Sequence, residues 1–204
     1  MLNENIYFLL GTPCSGKTTI GSLLSDKYDM CYFSGDSKRF EIFQFADPLK
    51  HPFMTKKASD FFSWSLDEMI EWEKGIISEQ TPFILAELEK LTGQGKKVLF
   101  EGMLDLEILS PIVDKSKVVF LRVDKTISER DFFQREDHQG LVQNIINTQG
   151  ITKDEKERRI SIRKKACIEA FDDDASTYGI QQIQRTDEMT ISDMLKTVEM
   201  HYGF

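Results

Sequence analysis

The sequence predicts an α/β fold: a parallel five-stranded sheet flanked by helices. Three observations predict it. Short apolar runs alternate along the chain with longer stretches of helical periodicity, the order that crossover helices and a buried parallel sheet require. The runs stop at glycine or at a polar turn, as at Gly11, Ser34-Gly35-Asp36 and Glu101-Gly102. The chain has 204 residues, 40% hydrophobic and 29% charged, which suits one domain with an embedded smaller part. At this length about 70% of the unfolded surface can be buried, so neither a disulfide nor a structural metal is needed to fold.

The elements follow in order. Residues 6–10 read as a buried strand ending at Gly11. Residues 16–28 read as a helix with Ile20, Leu23, Leu24 and Tyr28 on one face. Residues 30–33 form the second strand. From 37 to 95 the patterns are helical only, over 66–77 and over 82–91. Thr81 is placed to cap the second of these, with Pro82 at its first position and Gly93 and Gly95 at its end. Residues 98–100 form the third strand and 118–123 the fourth, followed by a helix over 126–135. Residues 137–150 are polar apart from Leu141, Val142, Ile145 and Ile146. Thr152-Lys153-Asp154-Glu155 has the form of a capping box opening a helix to residue 171. A weak fifth strand over 179–184 and a helix over 191–200 complete the chain. In such sheets the site lies beyond the carboxyl ends of the strands.

Charge and cysteine content exclude several classes. Lysine and arginine number 26 against 34 aspartate and glutamate, a net charge of −8. A globally acidic chain is repelled by nucleic-acid backbones, so no nucleic-acid partner is expected. Cys14, Cys31 and Cys167 are far apart in sequence and form neither a disulfide framework nor a zinc motif. The apolar run near the N-terminus is too short for a signal peptide, and no run approaches the roughly 20 residues of a membrane span. A cytoplasmic protein with no membrane partner is expected, as monomer or homodimer.

Directly after the first strand stands Gly11-Thr12-Pro13-Cys14-Ser15-Gly16-Lys17-Thr18, followed by Thr19. It matches the Walker A phosphate loop, G-x-x-x-x-G-K-[ST], in the strand–loop–helix setting the motif needs. The glycines let backbone N–H groups curl around an anion, and the helix N-terminus adds partial positive charge. Lys17 is placed to reach β- and γ-phosphates, and the Thr18 hydroxyl to ligate Mg²⁺. The expected architecture is thus a three-layer P-loop NTPase fold, with ATP and Mg²⁺ as cofactors. Cys14, at a helix N-terminus, has either a reactive thiol or a small side chain filling a variable loop position; the second reading is preferred.

The chain lacks the Asn-Lys-x-Asp guanine reader of GTPases and the Leu-Ser-Gly-Gly-Gln of transporter ATPases, and it is short for a helicase or motor. Asp137-His138-Gln139-Gly140 has the Asp-x-x-Gly form but falls in a polar segment after a helix. With its loop and element order the chain resembles the small P-loop kinases, a group that includes nucleoside-monophosphate, shikimate, gluconate and adenylyl-sulfate kinases and chloramphenicol phosphotransferase. Ser34-Gly35-Asp36-Ser37-Lys38-Arg39 resembles the Gly-Asp-x-x-Arg stretch of adenylyl-sulfate kinases. By that resemblance Asp36 would orient or deprotonate the acceptor hydroxyl, and Arg39 would grip a polar or anionic part of the acceptor. The alternative for Asp36 is a helix N-cap.

Phe100-Glu101-Gly102-Met103 stands where monophosphate kinases carry Asp-Gly. There Glu101 and Gly102 would line the substrate side, Glu101 holding a magnesium-bound water; the alternative is an ion pair with a lysine. Glu129-Arg130-Asp131-Phe132-Phe133-Gln134-Arg135 resembles the segment leading into the lid of monophosphate kinases. Arg130 and Arg135 would then neutralise charge on the transferred group, and 137–150 would be the lid. The alternative for each arginine is a solvated helix face. Arg163 would reach back toward the transferred phosphate, or Arg159 and Arg163 would belong to a salt-bridged helix with Glu155 four residues before Arg159.

Residues 37–95 would be a helical acceptor-binding subdomain. It is rich in aromatics, Phe40, Phe43, Phe45, Phe53, Phe61, Phe62, Trp64 and Trp72, most of them expected in the core. Trp64 and Trp72 are eight apart, which on one helix would place them on one face. The expected function is transfer of the ATP γ-phosphoryl group to a small metabolite such as a sugar acid, a nucleoside or nucleotide, or an antibiotic-like acceptor. The alternative is a nucleotide-binding regulatory NTPase with no small acceptor.

Overall fold

The computed structural model describes residues 1–56, 64–134 and 136–204, without the side chains of 136–138 and 141. Its five strands are β1 (Ile6–Gly11), β2 (Cys31–Ser34), β3 (Val98–Gly102), β4 (Val118–Val123) and β5 (Gln181–Arg185). They pair in the order β2-β3-β1-β4-β5, all parallel. The nine helices of the described residues are α1 (Lys17–Tyr28), α2 (Gly35–Phe43), α3 (Pro52–Thr55), α4 (Leu66–Gly93), α5 (Leu106–Leu109), α6 (Lys125–Asp131), α7 (Glu136–Ile146), α8 (Lys153–Ala170) and α9 (Ile191–Tyr202).

Strand periodicity sorts the core into two layers. Ile6, Phe8 and Leu10 of β1, with Phe100 and Phe120, pack against Ile77, Ile84, Leu85 and Leu88 of α4. Tyr7 and Leu9, with Leu99, Val119 and Leu121, pack against Ile20 and Leu24 of α1 and Met194, Val198 and Tyr202 of α9. Both faces of the sheet are covered at its centre, so β1 and most of β3 and β4 are apolar, while the edge strand β5 buries only Ile183. Each fully buried Phe in this sandwich contributes about 1.5–3 kcal/mol.

Several helices depart from the pattern read in the sequence. The two helices expected over 66–77 and 82–91 are one, α4, with Pro82 inside it. Thr81 does not cap: it is buried, and its hydroxyl donates to the Ile77 carbonyl one turn back at 2.7 Å. Proline costs the helix one N–H, but a buried apolar face runs unbroken past it from Met69 to Leu88. The true cap is Ser65, in a reciprocal capping box with Glu68. The helix after β4 is shorter than expected, with a 3₁₀ turn over Phe132–Gln134. The segment expected as an irregular lid is largely the helix α7. At α8 only half of the capping box forms. Thr152 accepts from the Glu155 amide at 3.2 Å, while the Glu155 carboxylate turns to Arg158 and Arg159. Charged guanidinium groups outcompete a neutral amide for a carboxylate.

Of the aromatics of 37–95, most of them expected in the core, Phe40 and Phe45 are 81% and 70% exposed. Phe61, Phe62 and Arg135 lie outside the described residues. Trp64 precedes α4 rather than sharing a face of it, and its ring meets Trp72 edge-on at 6.0 Å. The Trp72 indole donates to the Phe53 carbonyl at 2.9 Å, which ties α3 to α4. Among the described residues no helix is long and apolar enough to cross a membrane.

Candidate active site

The loop Gly11–Thr18 leaves the carboxyl end of β1, the central strand, and enters α1. Gly11 has φ 146°, and a Cβ there would sit 1.9 Å from the Leu121 carbonyl oxygen. Only glycine lets the strand turn this close to β4. Cys14 has φ 63°, an uncommon conformation for a residue with a side chain. It is held there by surroundings: Cys14 is buried with Phe132 of the 3₁₀ turn and with Cys167 and Ile168 of α8. Of the two readings of Cys14, packing matches this environment.

Three carbonyl oxygens of the loop are engaged by side chains. Lys17 Nζ donates to Thr12 O at 2.8 Å, Ser128 Oγ donates to Pro13 O at 2.9 Å, and Arg185 donates to Cys14 O. The Thr12 hydroxyl is held by the Val123 amide at 3.2 Å. These bonds fix the loop from α6, β4 and β5. Ser15 Oγ is fully buried and has no hydrogen-bond partner among the described residues. At α1 the N-cap is Gly16, with no capping side chain and no acid in the first turn. A helix start left uncapped is an anion site, and an orphaned hydroxyl beside it adds a donor. The residues present fit a polyphosphate.

Glu101 emerges on β3 beside the loop and is 3% exposed. Thr18 Oγ1 donates to its Oε1 at 3.4 Å and Tyr32 OH to its Oε2 at 3.1 Å. Thr18 itself is exposed, as is Thr19. A hydroxyl and a carboxylate side by side are hard oxygen donors of the kind Mg²⁺ prefers, with phosphate oxygens and water completing its shell. The residues therefore fit the metal. Burial first, then the Glu101 carboxylate and more weakly Asp36, push the Tyr32 phenol well above its ordinary pKa. Tyr32 thus stays a neutral donor to Glu101. No motif marked Tyr32, Ser128 or Arg185; each is an ordinary residue of a strand or helix that the topology carries to the loop.

Asp36 is exposed in the first turn of α2, just beyond β2. The N-cap of α2 is Ser34, whose hydroxyl accepts from the Ser37 amide at 3.4 Å, so capping does not account for Asp36. Register brings it near Glu101, because Ser34 pairs with Glu101 across β2 and β3. Gly102 lies at that same edge, at φ 151°. Arg39 follows on α2, half-buried.

Of the arginines expected near the transferred phosphate, the described ones are paired with carboxylates elsewhere. Arg130 is exposed and bonds to Asp131 and Asp187, at 2.7 and 3.0 Å. Hydrogen bonds from Arg130 hold both carboxyls below their usual range. Arg163 is paired with Glu73 of α4 in the interior, and Arg159 with Glu155 at 2.6 Å. A separate cavity of about 640 Å³ opens beside α4 and α5, lined by Phe53, Glu71, Lys74, Asp105 and Tyr178 among others. No residue of the phosphate loop lines it, so the candidate chemistry stays at the sheet edge.

No protein-family model matches this chain, and no curated protein does. Among solved structures it is similar to the YorR protein of Bacillus subtilis, in complex with phosphorylated GDP. That likeness has 14% identity over 96% of this chain and 94% of that one, with a TM-score of 0.40. It is also similar to dephospho-CoA kinase from Campylobacter jejuni, at 14% identity over 98% of each chain and a TM-score of 0.41. The chain's own all-parallel sheet, with the phosphate loop leaving its central strand, gives it a small P-loop kinase-like fold.

Proposed function

We propose that this chain is an ATP- and Mg²⁺-dependent kinase that phosphorylates a small metabolite. The observation that carries the reading is the phosphate loop itself. Its carbonyls are tied back, its helix start is uncapped, and it holds an orphaned Ser15 hydroxyl beside Lys17. Such a cradle recognises a chain of phosphates. The neighbouring Thr18–Glu101 pair supports metal-linked phosphate and Asp36 supports an acceptor.

In this reading Lys17 and the α1 N-terminus grip the β- and γ-phosphates, and Ser15 donates to a phosphate oxygen. Thr18 and Glu101 would hold Mg²⁺, which when bound neutralises charge on the phosphates. Asp36 accepts the proton of the acceptor hydroxyl and aligns it. The hydroxyl oxygen bonds to the γ-phosphorus while the bond to the β-bridging oxygen breaks, and ADP leaves with that electron pair. Residues 37–95 and 137–150 serve as acceptor-binding and lid segments that exclude water.

The test pairs binding with turnover. ATP with Mg²⁺ is expected to raise the melting temperature of the wild type and not of Lys17→Ala. An acceptor found by ATP-consumption screening is expected to be phosphorylated at least about 100-fold more slowly by Asp36→Ala, the scale of a lost general base. Unchanged activity in Asp36→Ala removes the assigned role. ATP binding with acceptor-independent hydrolysis alone would favour the regulatory NTPase.

A further inference from the structure

Beside the phosphate loop lies a group of buried polar side chains that the steps above do not use. Glu73 and Gln80 are 1% and 4% exposed and stand two turns apart on one face of α4. Glu73 Oε2 and Gln80 Oε1 are both buried without a hydrogen-bond partner among the described residues. Arg39 Nε of α2 is likewise buried and unpartnered. Each such atom is costly to bury unless something satisfies it. Three together, from two helices, call for a partner that the described residues do not supply.

The fold places them at the site. The Asn3 amide donates to Glu89 near the C-terminus of α4, while the Asp105 amide donates to Thr81. α4 therefore runs against the strands, and residues before 81 overhang the carboxyl edge of the sheet. The Cys167 thiol and the Arg163 guanidinium of α8 both donate to Glu73 Oε1 of α4, the thiol at 3.7 Å, and α2, which carries Arg39, packs against the same helix α4. Cys167 in turn packs in the cluster that holds Cys14 of the phosphate loop.

The donor and acceptor balance selects a ligand. Glu73 is neutralised by Arg163, so an ammonium group at Glu73 Oε2 would meet the Arg163 charge. Neutral hydroxyls fit Glu73 Oε2 and Gln80 Oε1 as donors. Arg39 has no ion-pair partner among the described residues and calls for an anion, which a guanidinium binds through two N–H groups. We propose that the phosphoryl acceptor is an anionic polyhydroxy compound, its hydroxyls held by Glu73 and Gln80 and its anionic group by Arg39. This rests on the kinase reading above. Carboxylate and phosphate satisfy Arg39 equally.

The experiment is a binding titration of the wild-type chain, saturated with an unreactive ATP analogue, against three sets of probes. Glycerate and gluconate carry a carboxylate, and glycerol 3-phosphate and glucose 6-phosphate carry a phosphate. Glycerol, sorbitol and glucosamine are neutral or cationic. At least one anionic probe is expected to bind, and the set it comes from tells carboxylate from phosphate. Arg39→Gln is expected to weaken that binding by about tenfold or more, with Arg39→Lys in between, since a lost charged hydrogen bond is worth that ratio. Gln80→Met is expected to weaken it less, and all three variants keep the ATP-dependent melting shift. The proposal is overturned if no anionic probe binds, if neutral or cationic probes bind as well, or if Arg39→Gln binds like the wild type. Loss of the ATP shift from the wild type itself would instead remove the kinase reading.

Discussion

Glu73 of α4 and Arg163 of α8 form an ion pair whose side chains are 1% and 13% exposed. The Arg163 guanidinium also lies 5.2 Å from the centre of the Trp72 ring. The pair joins the two longest helices of the described residues above the sheet edge.

Arg163→Met leaves Glu73 charged, buried and uncompensated. Breaking a buried pair in this way costs about 3–5 kcal/mol. Denaturant unfolding is expected to show that loss, and Glu73→Met combined with Arg163→Met should cost clearly less than the two single changes added together. A loss under about 1 kcal/mol for Arg163→Met would mean that the pair is solvated in solution.

Tyr32→Phe removes one of the donors that hold the Glu101 carboxylate. A hydrogen bond to a buried charge is worth about 1.5–3 kcal/mol, so stability should fall by about that amount. The magnesium concentration needed for the ATP-dependent melting shift should rise as well, because Glu101 loses its orientation beside Thr18. An unchanged magnesium requirement would separate Glu101 from the metal.

Arg185→Met frees the Cys14 carbonyl while leaving β5 intact. The expected outcome is ATP binding weaker by about tenfold, with melting in the absence of nucleotide changed little. If melting falls and ATP affinity does not, Arg185 serves the sheet and not the loop.

Burial first, and the Glu73 carboxylate second, push the Cys167 thiol up to about 12, against opposing effects of Arg163 and Arg39. In the unfolded chain the thiol ionises near 9.0. Between these values the folded state holds a proton that the unfolded state has released. Stability from this group is therefore complete below pH 9 and declines as pH rises toward 12. Unfolding free energy measured from pH 8 to 10.5 should fall more steeply for the wild type than for Cys167→Ala. Equal slopes would contradict the burial of the thiol. Iodoacetamide at pH 8 should label Cys167 only after denaturant is added, since the thiolate is the reactive form.

What the sequence disclosed followed from how local each signal was. The first four strands are short, largely apolar and stopped by turn residues, so they were legible within one or two residues, while the polar edge strand β5 gave only a weak signal. The phosphate loop was legible because its function lies in backbone shape, and the glycines write that shape into the sequence. Thr81-Pro82 misled because its local form is a helix start, while the buried face of α4 decides otherwise over 28 residues. Glu73 and Gln80 were invisible, because a charged or amide residue inside a helix gains meaning only from what packs on it. Ser128 and Arg185 reach the loop from 115 and 171 residues away, and no spacing rule spans such distances.

The strand order also bears on how the chain is made. β1 is made before the other four strands of the sheet and sits in its middle, yet its first partner, Val98 to Ile6, lies 92 residues later. At ribosomal rates of about 5–20 residues per second, that separation holds the apolar run from Ile6 to Leu10 without its β3 neighbour for roughly 5–20 s. Its companion β4 emerges later still. A nascent chain with so long an interval between a hydrophobic strand and its place in the sheet is an expected client for a cellular chaperone.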